Sequence, residues 1–348
     1  MRDVMPDIDR WLEQDEPVAL ATVVQTWGSS PRQAGAKMAL TPGGGMTGSV
    51  SGGCVEGATF EEGVAVLKSG QAKLVHFGVA DETAWEVGLA CGGSIEVLVQ
   101  PLDRGLYAAT RALLLAEKPF AVATLVRGAE IGRGFVINDA EAVVAHSGPS
   151  PTEEEAAAAR AALAAGQSTR SPLPLGEWFI EVVWPSPTLI VVGGVHTSIA
   201  LTALAKTLGY RTVVVDPRRA FGSEARFPHV DRLVQQWPDE ALRAIGISRA
   251  TAVAMLTHDP KLDDPGLLVA LRSNAFYVGA LGSRGTQAKR RARLKAEGLS
   301  DEQLARLRGP IGLDLGGRTP EEVALAILAE IVAARNGRLR AGERSAAV

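Results

Sequence analysis

The chain has 348 residues, 46% of them hydrophobic, a net charge of −3 and a pI near 6.0. This composition is typical of a globular protein of about two domains, and the small negative charge argues against general binding to nucleic acid or to an anionic membrane. We recognise neither a secretory signal nor a membrane-spanning run. With two cysteines in the whole sequence, this predicts a cytoplasmic protein in a reducing compartment.

The first half of the chain is predicted to form a mixed α+β domain over residues 1–183. Alternating and β-branched segments between turn residues predict strands at 18–24, 37–40, 46–50, 73–76, 94–99, 120–127, 134–138 and 142–145. Helices are predicted at 56–69 and 151–165, the second with a capping box made by Thr152 and Glu155. The Ser- and Pro-containing segment 166–176 is predicted to lead towards a second domain.

The second half, residues 184–348, has a different pattern. Leu189–Val192 is a continuous apolar run, as expected of a buried parallel strand. Further strands are predicted at 212–215, 252–256 and 275–278, alternating with helices at 197–208, 239–244, 265–273 and 285–297. A last helix begins at Thr319 and Pro320 and ends at Gly337. The alternation predicts an α/β fold whose C-terminal domain is a Rossmann-like, doubly wound parallel sheet.

Both cysteines lie in glycine-rich motifs, Ser-Gly-Gly-Cys-Val-Glu at 51–56 and Ala-Cys-Gly-Gly-Ser-Ile-Glu at 90–96. A large ligand or a partner's backbone could approach each sulfur, since the adjacent glycines lack side chains; these glycines are Gly52, Gly53, Gly92 and Gly93. Cys54 is expected at a helix N-terminus, where the N–H groups and the dipole favour a thiolate. Cys54 first, and Cys91 second, are therefore candidates for a nucleophile or a soft-metal ligand. The alternative is two glycine turns with an incidental cysteine in each. The histidine spacing does not suggest structural zinc.

A glycine turn follows the first strand of the predicted parallel sheet. Gly193, Gly194 and His196 occupy the place of a dinucleotide fingerprint, and Asp216 ends the next strand, where a ribose-binding acid is expected. Val195 replaces the second glycine of the fingerprint and Ser198 the third. We therefore predict an altered nucleotide site in place of an ordinary dehydrogenase site. His196 either faces the crevice or caps the helix.

Two further motifs follow later strands of this sheet. His258 and Asp259, near Lys261 and Asp263, could act as a base or a metal ligand, or form an ordinary polar loop. Gly282, Ser283 and Arg284 open a helix in a way that suits a phosphate, whereas the basic residues further along that helix are predicted to form a solvated face. The glycines of 310–317 could serve a tight turn or the rim of a ligand site.

Taken together, these motifs resemble the xanthine dehydrogenase accessory factor family, XdhC/CoxI. The matching segments are 26–32 (with Arg32), 48–56, 90–93, 193–196, 216–218, 226–228, 257–259, 279–284 and 310–322. The resemblance covers nearly the whole chain and is least diagnostic over 103–186. This chain departs from it in the glycine loop, where many members have Gly-Ala-Gly-His.

The resemblance implies a cytosolic cofactor chaperone without turnover chemistry of its own. Its cargo would be the molybdenum cofactor, as molybdopterin or its nucleotide form. Its partners would be a cysteine desulfurase and a client molybdenum hydroxylase of the xanthine dehydrogenase or carbon monoxide dehydrogenase type. Cys54 and Cys91 would contact the metal centre or carry persulfide sulfur, while Arg32 and the Rossmann loops would hold the rest of the cofactor. The sequence also allows a homodimer.

Two alternatives remain open at this stage. An NAD(P)-linked oxidoreductase is favoured by Asp216 and opposed by Val195. A dithiol redox module would use a reversible disulfide between Cys54 and Cys91.

Overall fold

The computed structural model describes residues 1–30, 32–78 and 93–339. The chain divides into two compact units, Met1–Pro185 and Ser186–Val348. In the described ranges, no helix combines the length and the apolar character needed to span a bilayer.

The first unit contains two antiparallel sheets. The strands of the first sheet are β1 (Ala19–Trp27), β2 (Lys37–Leu40), β3 (Met46–Gly48), β4 (Lys73–Phe77) and β5 (Ser94–Pro101), in the order β3-β2-β1-β5-β4. The strands of the second are β6 (Phe120–Arg127), β7 (Gly134–Asn138), β8 (Val143–His146), β9 (Thr169–Leu173) and β10 (Gly176–Val183), in the order β8-β7-β6-β10-β9. The helices of this unit are α1 (Met5–Glu13), α2 (Glu56–Ser69), α3 (Arg104–Leu115) and α4 (Glu153–Ala165).

The first sheet is covered on both faces because its side chains alternate in direction. On one face Val23, Ile95 and Val97 pack in a core cluster with Val66 of α2. On the other face Leu98 packs against Phe179 of the second sheet. The opposite face of the second sheet packs against α4. The unit is therefore built in the layer order α2, first sheet, second sheet, α4.

The second unit contains one parallel sheet. Its strands are β11 (Thr188–Val192), β12 (Arg211–Val215), β13 (Arg232–Val234), β14 (Thr251–Met255), β15 (Tyr277–Ala280) and β16 (Leu307–Arg308). Its helices are α5 (His196–Thr207), α6 (Pro238–Ile245), α7 (Pro260–Arg272), α8 (Arg284–Ala296), α9 (Asp301–Ala305) and α10 (Pro320–Arg335). The strand order β13-β12-β11-β14-β15-β16 is that of a Rossmann fold. The α/β prediction, with a Rossmann-like C-terminal half, is confirmed.

Several elements differ from the sequence expectation. Segment 166–176, predicted to lead out of the first domain, contains β9 and the start of β10 within the second sheet. The helix predicted from 265 begins at Pro260, because the Asp259 side chain accepts a hydrogen bond from the Lys261 N–H and caps it. Helices α1 and α3 were not predicted. The sequence carries start signals for both, since Pro6 lies in the first turn of α1 and the Asp103 side chain caps α3.

Candidate functional site

Three sequence motifs of the first unit lie at one end of its first sheet. Strands β1 and β3 end there and β5 begins there, because each strand is antiparallel to its neighbour. Trp27 pairs with Ser94 across β1 and β5. A Cβ on Gly93 would collide with the carbonyl oxygen of Ser29, so these two backbone segments are in close contact. The topology thus gathers the loop after β1, the loop after β3 and Gly93, the residue just before β5.

The loop between β3 and α2 is folded around the carboxylate of Glu56, the first residue of α2. Four successive backbone N–H groups, those of residues 50–53, donate to this carboxylate at 2.8–3.2 Å. The hydroxyls of Ser49 and Ser51 donate to it at 2.6 and 2.5 Å. Strand β3 therefore ends at Gly48 and not at Val50 as predicted, because residues 49–53 turn towards Glu56.

These hydrogen bonds decide the ionisation of Glu56. Burial by itself raises the pKa of this carboxyl group, but the donors from Ser49, Ser51 and the loop backbone outweigh it and lower the pKa to about 2. The carboxylate is thus charged at neutral pH and holds the loop as a bound anion would. This role of Glu56 was not predicted. The available signal was an acid in the first helical turn, three residues after a pair of glycines.

Cys54 lies on this loop, one residue before Val55, the N-cap residue of α2. Its side chain is exposed and its thiol is free. The backbone N–H groups of residues 50–53 are directed at Glu56. Gly52 and Gly53 have positive φ angles of 83° and 125°, and a Cβ on Gly53 would have no atom within 4 Å. The sulfur is therefore presented next to open space.

The other predicted residues of the first unit are only partly placed. Cys91 and Gly92 lie outside the described residues. Arg32 is half-buried in the loop after β1, where the Ser30 hydroxyl donates to its carbonyl oxygen at 2.8 Å. Within the described ranges, no group of three or more His, Cys, Asp or Glu side chains is arranged to hold a metal ion.

In the second unit, Asp216 is fully buried at the end of β12. Its carboxylate accepts a hydrogen bond from the Gly194 N–H at 2.8 Å, and three from the backbone and guanidinium of Arg218 at 2.8–2.9 Å. Burial raises the pKa of Asp216, but the donors from Arg218 and Gly194 outweigh it and hold the pKa below its usual range. Asp216, the expected ribose-binding acid, is thus already hydrogen-bonded to other residues of the chain.

Residues 217–227, which we call the strap, lie over the glycine turn. Arg226 donates to the carbonyl oxygens of Gly194 and Phe221 at 2.6 and 3.0 Å. A Cβ on Gly194 would collide with the carbonyl oxygen of Phe221. The guanidinium of Arg218 lies 3.9 Å from the centre of the Phe221 ring. The strap thus covers the backbone that a pyrophosphate approaches in a dinucleotide-binding Rossmann domain, and these residues do not fit an ordinary NAD site.

The remaining loops at the carboxyl edge of the parallel sheet are more open. His196 is the first residue of α5 and does not cap it; its ring nitrogen is 3.9 Å from Glu321 and its side chain is 72% exposed. His258 is exposed, whereas Asp259 caps α7. Ser283 caps α8, which begins at the exposed Arg284 after Gly282. The structure therefore brings His258 and Arg284 to one edge as exposed basic groups.

The basic residues along α8 were expected to form a solvated face. Lys289 is exposed as expected, but Arg290 and Arg291 do not belong to such a face. Arg290 is buried and donates to Asp263, Gln287 and the Leu281 carbonyl oxygen. Arg291 donates to backbone carbonyl oxygens at the end of α9 and in β16. Burial raises the pKa of Asp263, although Thr257 and Arg290 bond its carboxylate. These arginines hold α8 in place and are not available to a ligand.

Comparison with known proteins gives a consistent relationship over both units. A model described as the XdhC Rossmann domain matches residues 189–331, and one described as the XdhC and CoxI family matches residues 11–78. A probable xanthine dehydrogenase subunit from Bacillus subtilis (strain 168) is 29% identical over 94% of this chain and 96% of its own length. The molybdenum cofactor insertion chaperone PaoD from Escherichia coli (strain K12) is 27% identical over 91% of this chain and 83% of its own length. The crystal structure of a xanthine dehydrogenase from Bacillus halodurans has a TM-score of 0.76 at 25% identity, covering 98% of both chains. The chain belongs to the XdhC and CoxI family.

Proposed function

We propose that this protein is a cytoplasmic accessory factor in the maturation of a molybdenum enzyme. In this proposal it binds the molybdenum cofactor as cargo and assists its sulfuration and its insertion into a hydroxylase of the xanthine dehydrogenase or carbon monoxide dehydrogenase type. Family membership supports this role, as do the names of two relatives, a molybdenum cofactor insertion chaperone and a probable xanthine dehydrogenase subunit. The partners would be the client hydroxylase and a cysteine desulfurase, and a homodimer is compatible with it.

The observation that carries the proposal is the exposed thiol of Cys54 on a loop that Glu56 fixes. A thiolate is a soft ligand that matches a sulfur-ligated molybdenum centre. Because the loop is already ordered by hydrogen bonds, binding cargo there costs little further conformational entropy. The glycines beside Cys54 leave room for a large cofactor and for the surface of the client.

Cys54 would contact the molybdenum centre or its terminal sulfur while the desulfurase supplies that sulfur. Cys91 would be the second contact. Between the desulfurase and this protein the sulfur would travel as a persulfide, whose outer sulfur is attacked by an acceptor thiolate while the donor thiolate leaves. In this proposal the accessory factor has no turnover chemistry of its own.

The Rossmann alternative has less support from the geometry. An NAD(P)-linked oxidoreductase needs a free acid for the ribose and an open glycine turn, whereas Asp216 is bonded to Arg218 and Gly194 and the strap covers the turn. We therefore do not propose nicotinamide chemistry for this chain.

Complementation in cells that lack this protein tests the proposal. In these cells the client hydroxylase should accumulate in a folded form that is poor in cofactor or in terminal sulfur. The wild-type gene should restore the loaded, active hydroxylase. Cys54→Ser should fail to restore it, because a hard, protonated oxygen replaces a soft sulfur of similar size. Molybdenum and pterin per purified protein should fall in the same variant, with an unchanged melting temperature. A client that is fully loaded in the deleted cells, or a folded Cys54→Ser protein that still activates it, would contradict the proposal.

A further inference from the structure

An open cleft lies between the two sheets of the first unit. Its volume is about 510 Å³, within the range of about 300–1,000 Å³ that small-molecule sites occupy. The apolar part of its lining includes Leu74 and Val126, and its polar side chains include His76, Glu96 and Arg127. Apolar walls with a few convergent polar groups are the general make-up of a ligand site.

Arg127 is fixed in this cleft by two carboxylates. Its Nη2 donates to Glu96, which is 4% exposed, and its Nε lies 3.4 Å from Glu177. Arg170 of β9 donates to the same two carboxylates, so the four charges balance. Among the residues that the structure describes, the Nη1 of Arg127 has no hydrogen-bond partner, and the side chain is 57% exposed. A planar guanidinium held on one edge and free on the other suits a phosphate or carboxylate ligand.

An aromatic pair lies beside these charges. The ring of His76 is 5.8 Å from that of Trp27, which is 43% exposed. In the register of the first sheet, Glu96 pairs with His76 on one side and with Gln25 on the other. Trp27, two residues beyond Gln25, therefore projects on the same face as His76 and Glu96. An exposed indole next to an imidazole offers a surface on which a flat ring can stack.

Two other cavities among the described residues of this unit suit such a ligand less well. The one lined by Lys37 and Glu181 has a volume of about 60 Å³, whereas even benzene occupies an engineered cavity of about 150 Å³. A neighbouring cleft of about 470 Å³ is lined by Asp103 and Glu130. Its arginine, Arg133, is buried and bonded to an acid and to backbone carbonyl oxygens. The cleft at Arg127 thus combines an accessible cation with a neighbouring aromatic pair.

We propose that this cleft binds a planar heteroaromatic anion, with the ring stacked on Trp27 and His76 and the anionic group on Arg127. The assignment of this ligand to the pterin of the molybdenum cofactor rests on the proposed function, whereas the site itself does not. A purine nucleotide has the same general chemistry, so the experiment has to separate the two.

The probe is 6-carboxypterin, titrated by calorimetry into the full-length protein, with adenosine monophosphate as the second arm. Saturable binding of 6-carboxypterin is expected, at least several-fold tighter than that of the nucleotide. Arg127→Ala should weaken it by about 10-fold or more, since a charge-assisted contact is lost, and Trp27→Ala by about 5- to 10-fold. Trp27→Phe should keep most of the affinity. The matched controls are Arg104→Ala, at an arginine that is 60% exposed, and Trp237→Ala, at a tryptophan that is 50% exposed. Neither control should change the affinity for 6-carboxypterin.

Because Arg127 neutralises Glu96, Arg127→Lys provides a variant that keeps the charge. It should lose affinity while its melting temperature stays near that of the wild type. No binding of 6-carboxypterin at millimolar concentration, or equal affinities in the Arg127 and Arg104 variants, would overturn the site. Tighter binding of adenosine monophosphate would overturn the pterin assignment.

Cys54→Ser should bind 6-carboxypterin like the wild type, since the Cys54 sulfur is not part of the cleft. If that variant still activated the client, the proposed function would fail while the site stood.

Discussion

At the scale of single residues, Glu56 is the side chain on which the Cys54 loop depends. Glu56→Gln replaces an acceptor-only carboxylate by an amide whose NH₂ faces the loop donors. We expect it to lower the free energy of unfolding by about 1–3 kcal/mol at pH 7, since buried donors lose their partner. The folded pKa of about 2 lies below the ordinary value of 4.5. The stability from this charge is therefore present above pH 4.5 and is lost as the pH falls towards 2.

Urea unfolding of the wild type and of Glu56→Gln between pH 7 and pH 3.5 checks this prediction. The difference between them should be largest at neutral pH and should narrow below pH 4.5. Glu61→Gln, at an exposed position of the same helix, should change stability by less than about 0.5 kcal/mol. If Glu56→Gln were as stable as the Glu61 variant at pH 7, the carboxylate would not organise the loop.

At the scale of elements, the strap and β12 are joined to the glycine turn through Asp216. Asp216→Asn should lower the free energy of unfolding by about 1.5–3 kcal/mol, since hydrogen bonds to a buried charge are lost. Neither NAD nor NADP should bind the wild type saturably, because the acid and the Gly194 N–H are already bonded to each other. Asp239→Asn is the control. It removes an i,i+4 pair with Arg243, worth about 0.3–0.5 kcal/mol, and one acidic charge in the first turn of α6. Micromolar dinucleotide binding, by calorimetry, would show that the strap opens.

At the scale of the whole molecule, each unit has a core made from its own residues. The parallel sheet has a hydrophobic cluster on each face, and every member of both lies between residues 189 and 334. A fragment beginning at Ser186 should therefore fold alone. Circular dichroism and a single cooperative urea transition would check this, with the fragment 1–185 measured in parallel. If the fragment from Ser186 showed no cooperative transition, the second unit would depend on the first unit for part of its stability.

The sequence alone was sufficient for the features that depend on neighbouring residues. The apolar run at Leu189–Val192 and the strand–helix alternation predicted the Rossmann half, and Thr152 and Thr319 marked where helices begin. The family could also be recognised from the sequence, because its motifs are short, contiguous and ordered along the chain. Local signals of this kind act within one or two helical turns and are readable without the fold.

Only the tertiary structure decided which side chains meet. Glu96 and Arg170 are 74 positions apart and bond across two sheets, and no local pattern encodes that pairing. The Asp216 carboxylate occupies the expected place at the end of its strand. Its hydrogen-bond partners, however, are Arg218 and Gly194, so the carboxylate is not free to bind a ribose. The physical reason is that strand register and loop packing bring distant groups together, and a buried charge is then satisfied by whichever donors the fold places beside it.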